Sequence, residues 1–96
     1  MKTKEDYKRA QLIVKRIIDA WDPNALLEGG APDNEFAPEI DEIVRQLPQV
    51  ISEHDAVRAV SIAMRSAFEK EKFTPEKCSL VGKELFARCK EEGLLG

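Results

Sequence analysis

Apolar residues keep a three-and-four rhythm along almost the whole of this chain, and that rhythm fits helices rather than strands. Tyr7, Ala10, Val14, Ile17 and Trp21 form one stripe, widened by Ile13 and Ile18. Ile40, Ile43, Val44 and Leu47 form a second. Ala56, Val57, Val60, Ala63, Met64, Ala67 and Phe68 form a third, and Cys78, Val81, Leu85 and Cys89, with Phe86, a fourth. No stretch sustains the alternation of a half-buried strand. Each stripe needs a neighbour to cover it. The spacing therefore predicts an all-α fold: a compact, irregular bundle of four main helices, with one short helix after a Trp-Asp-Pro turn.

Prolines and capping residues set the predicted boundaries. The first helix runs from Lys4 to Ala20 or Trp21, because Asp22 precedes Pro23 and a residue before proline avoids the helical region. Asp22 is then a good N-cap and Pro23 a good first residue for a short helix over 24–28, with Gly29 as its left-handed stop. The second helix spans Pro38 to Leu47, where Glu39, Asp41 and Glu42 favour the positive end of the dipole and Pro48 ends it. Ser52 and Asp55 form a capping box for a third helix that reaches Lys70–Lys72. Thr74 and Pro75 open a fourth, which ends near Glu92, with Gly93 as a stop and Leu94 folding back on Cys89. Residues 1–96 read as one helical domain, without repeats or linkers.

The two thiols bear on compartment. Cys78 and Cys89 share a face, but eleven helical residues separate them by about 16 Å. A disulfide needs Cα atoms within about 7 Å, so both are expected as reduced core thiols. The first residues, MKTKEDYKRAQ, carry no apolar leader, and no run is long enough to cross a membrane. A cytoplasmic location and no membrane partner are the expectations.

Net charge is −3, unevenly spread: +4 over residues 1–16, −9 over 19–55 and +2 over 56–96. The basic residues near the C-terminus alternate with glutamates, so no basic face is available to track phosphates, and no nucleic-acid partner is expected.

Catalytic chemistry is sparse. The single histidine, His54, lies in Ser-Glu-His-Asp at a predicted helix start, where Ser52 is explained as a cap. Two distant thiols and one histidine lack zinc spacing. Asp33, Glu35, Glu39, Asp41 and Glu42 lack the alternation and central glycine of a calcium loop. Gly29-Gly30 has neither a preceding strand nor a following Lys-Ser or Lys-Thr. No enzyme activity, metal or cofactor is expected.

Residues 21–36 are the unusual segment, holding the only tryptophan together with two prolines, two glycines and two leucines. Two readings stand. Trp21, Leu26, Leu27 and Phe36 close the open end of the bundle. Alternatively, Trp21, Asp22, Leu26, Leu27, Glu28, Pro32, Asp33, Asn34, Glu35 and Phe36 present a part-exposed ledge for a partner. The segment resembles the YugE-like family of small all-helical bacterial proteins, through Trp21, Asp22, Pro23, Leu26, Leu27, Gly30, Ala31, Pro32 and Glu35. Ala25 stands where that family tends to have glycine, Asn34 and Ala37 where it has aspartate, and Phe36 where it has tyrosine. The resemblance implies an all-helical domain of about this length. It brings no activity and no functional residues, and it costs the second helix an aspartate cap.

The functional expectation is a non-enzymatic protein-interaction module, such as an adaptor, regulator or immunity-type inhibitor. It would use the 21–36 ledge, with Glu35 as the motif residue that has no structural role. The alternatives are a self-associating homo-oligomer, using leftover apolar residues such as Leu12, Ile51, Leu80 and Leu95, and a small-molecule binder.

Overall fold

A computed structural model describes residues 3–32 and 34–95, apart from the side chain of Asn24. Four α-helices, and no strand, are formed among the described residues: α1 (Lys4–Trp21), α2 (Ala37–Gln46), α3 (Glu53–Arg65) and α4 (Ser79–Glu91). The all-α bundle is the one expected. α3 packs on α4, α1 on both α2 and α4, and α2 on α3.

The stripes supply the core. Ala10, Val14 and Ile18 from α1, Ile43 and Val44 from α2, Val60, Ala63 and Met64 from α3, and Leu85 and Cys89 from α4 are all fully buried. The tightest helix contact is between α3 and α4. A Cβ placed on Gly82 would lie 2.6 Å from the Cα of Val57, so only glycine permits this approach. Tyr7 and Ala67 leave the expected stripes. Tyr7 lies at the stripe's edge, 38 % exposed, and Ala67 is exposed beyond the end of α3.

Four boundaries differ from expectation. α3 stops at Arg65 instead of reaching Lys70–Lys72. The Ser66 hydroxyl donates to the Ala63 carbonyl (2.8 Å), and the chain turns there, leaving Lys70–Lys72 as a separate 3₁₀ turn. α4 begins at Ser79, not Pro75. Thr74 still caps, its hydroxyl accepting from the Lys77 amide (3.4 Å), but residues 75–78 form a turn that feeds the helix. α2 starts one residue early, at Ala37, and gives way to a 3₁₀ turn at Leu47–Gln49. Its N-cap is Phe36, which has no capping side chain.

At the other caps, Ser52 accepts from the Asp55 amide as read (3.2 Å), while the Asp55 carboxylate accepts from the Ile51 amide (3.1 Å), one residue before the Ser52 amide of a capping box. Gly93 is left-handed, and the Leu94 amide reaches the Cys89 carbonyl (2.9 Å), which buries Leu94. No helix among the described residues is long and apolar enough to cross a membrane.

Candidate functional site

The connector after α1 is built around Asp22. Pro23 bars continuation of the helix, and Asp22 takes the left-handed conformation (φ 46°, ψ 61°) as the C-cap of α1. The expected N-cap role is replaced by a longer reach. The carboxylate accepts from the amides of Leu27 (2.8 Å) and Glu28 (3.0 Å), on the far side of the 3₁₀ turn Pro23–Ala25. Gly30 (φ 101°), not Gly29, is the left-handed stop; the Ala31 amide donates to the Leu26 carbonyl (2.9 Å). Ala25 also has positive φ, 52°, a conformation that strains an L-residue with a Cβ. Glycine adopts it freely.

The large side chains of this connector turn inward. Phe36 is fully buried, and Leu26, Leu27 and Trp21 pack against the main core. Four rings run in sequence across this end of the bundle. Trp21 meets Phe73 edge-on (5.8 Å between centroids), Phe73 meets Phe68 (5.7 Å) and Phe68 meets Phe36 (6.3 Å). The exposed ledge is therefore corrected at Phe36, which is core. Asp22 has its carboxylate committed to the backbone of its own turn. Glu28, Pro32 and Asn34 are exposed and Glu35 is half-buried, while Asp33 lies outside the described residues.

The part of the surface left open lies beside this segment, between α1 and α2. There a groove of about 470 Å³ is lined by Leu12, Ala37 and Ile40, with Lys8, Gln11 and Lys15 along α1 and Asn34 and Asp41 opposite. Helical phase explains the groove. Leu12 points away from the Ala10–Val14–Ile17 face and is 55 % exposed. The Gln11 side-chain amide donates to Asp41 (3.1 Å), an exposed bond that ties the two rims together. Lys15 donates to Asp19 (2.6 Å). Sequence reasoning marked Leu12 only as leftover, and it did not connect Leu12 with the start of α2. A smaller hollow of about 260 Å³ lies between α1 and α4, lined by half-buried Trp21 and exposed Leu80 among others.

Glu39, which the sequence marks only as an acidic residue suited to the positive end of the α2 dipole, is buried, at 6 % exposure. Desolvation pushes its carboxyl pKa up and the charge of Glu35 adds to the rise, against a hydrogen bond from its own backbone. Extending the Ile43–Val44–Leu47 stripe back by one turn reaches positions 39 and 40, and by a second turn position 36, so the signal was present. Cys78 and Cys89 are buried free thiols, each pushed up to about 11 by burial, so neither offers a thiolate nucleophile near neutral pH. His54 is exposed at the start of α3. No group of three His, Cys, Asp or Glu residues suited to a metal ion occurs among the described residues.

Set against protein-family models, curated proteins and solved structures, the chain gives no match.

Proposed function

We propose that this protein is a non-enzymatic interaction module that docks a partner across the α1–α2 groove, with Asn34 at its edge. The observation that carries this reading is the groove itself. Its apolar floor is exposed Leu12 with half-buried Ala37, over the buried Ile40, within a rim of lysines, amides and one aspartate. The YugE-like resemblance belongs to the same reading, as a small helical bacterial protein acting in the cytoplasm through contacts rather than chemistry.

Affinity capture from the native lysate, read by mass spectrometry, tests it. Wild type is compared with Leu12→Asp, a change at an exposed position that leaves the core intact. A protein retained by wild type and lost by Leu12→Asp is the expected result. Equal capture by both would defeat the reading.

Self-association is favoured by a different observation. Leu12, Ile51, Ile62 and Leu80 are all large exposed apolar residues. Light scattering at high concentration decides it, and a strictly monomeric mass rejects it.

A further inference from the structure

The groove also carries information about its occupant. Its walls are the middle of α1, whose backbone groups are bonded within the helix, and the first turn of α2, where the Ala37 and Ile40 amides donate to the Asn34 and Phe36 carbonyls (3.1 and 2.9 Å) and Pro38 has no amide. An extended peptide laid here would find no backbone partners, whereas a helix brings its own hydrogen bonds. The open floor follows α1 from Lys8 to Lys15, about 10 Å or two helical turns. That length suits the apolar stripe of one amphipathic helix.

The rims differ in charge. Lys4, Lys8 and Lys15 fall at positions 0, 4 and 11 of one helical face, a basic row along α1. Lys15 is shared with Asp19, but Lys4 and Lys8 make no ion pair among the described residues. The opposite rim carries Asp41.

We infer that the groove receives an amphipathic helix of a partner protein, its apolar stripe over Leu12 and Ala37 and its carboxylates over the lysines of α1. This rests on the docking role proposed above and specifies the partner's chemistry. The charge difference also fixes the orientation of the guest. Its acidic flank lies over α1, and a neutral or basic flank lies over Asp41.

The test uses two synthetic helical peptides of about 15 residues. They share one leucine stripe, and one carries glutamates where the other carries lysines. Each is titrated into the isotope-labelled full chain and followed by amide chemical shifts. The glutamate peptide is expected to shift the amides of residues 8–15 and 37–41 and to bind about tenfold tighter than the lysine peptide. Lys4→Glu combined with Lys8→Glu should reverse that preference. Both positions are exposed, so the fold is retained.

Equal affinities, binding of neither peptide, or shifts elsewhere would overturn the inference. So would a dimeric wild-type mass that Leu12→Asp makes monomeric, since the occupant would then be a second copy. Failure of the two proposals can be told apart. If Leu12→Asp loses the captured protein but the glutamate peptide is not preferred, only the occupant is wrong. If Leu12→Asp keeps the captured protein, the docking role itself fails.

Discussion

The connector after α1 and the groove between α1 and α2 adjoin each other, yet they use their residues in opposite ways. The connector holds the conspicuous residues, and it commits them to the fold: Trp21 and Phe36 to a chain of rings, Leu26 and Leu27 to the core, Asp22 to two amides. The groove is made of ordinary residues, a leucine, an alanine and two lysines among them, and it leaves apolar surface uncovered. A rare motif can mark a difficult piece of backbone. An out-of-phase leucine on a regular helix can mark the surface that is free to bind.

Substitutions can break this contrast from the connector side. Phe36→Ala should cost about 3–5 kcal/mol, because a fully buried ring is lost and its contact with Phe68 goes with it. Urea unfolding would read this directly, and a loss below about 1 kcal/mol would mean that the ring is not core. Asp22→Ala should cost about 2 kcal/mol, since two amides lose a charged acceptor. Unchanged stability there would return Asp22 to the list of candidate contact residues.

Ala25→Gly should act in the opposite direction. Relief of a positive φ is offset by the greater freedom of glycine in the unfolded chain, leaving a net stabilisation of about 0.5 kcal/mol. A lower melting temperature would argue against the left-handed turn.

Glu39 gives a smaller, pH-dependent effect. Its native carboxyl pKa is raised above the ordinary value by burial. Between the two values the native state holds more protons than the unfolded state, so this group's contribution to stability falls as pH rises through that window. Glu39→Gln should therefore be more stable than wild type at neutral pH, with the difference shrinking as the pH approaches 4. A difference independent of pH would show that Glu39 titrates normally.

The sequence carried the fold because each stripe and each cap is a local signal. The Ser52 cap, the Gly93 stop and the buried Cys78 and Cys89 follow from spacing alone. The misread boundaries came from competition between local signals: the Ser66 hydroxyl against the continuing stripe of α3, and a turn at 75–78 before α4. The site was less legible. Whether Trp21 and Phe36 face in or out depends on Phe68 and Phe73, which lie far along the chain and meet them only after folding. The groove likewise needs α1 and α2 side by side, and no single helix encodes it. Leu12 was visible as a residue without a place in its stripe, but its neighbours were not.

Amide hydrogen exchange of the protein, free and bound to the partner recovered by capture, tests the central claim most directly. Protection over residues 8–15 and 34–41, with 22–30 unchanged, is the predicted result. Protection confined to 22–30, with α1 and α2 unaffected, would contradict it and make the connector the docking face.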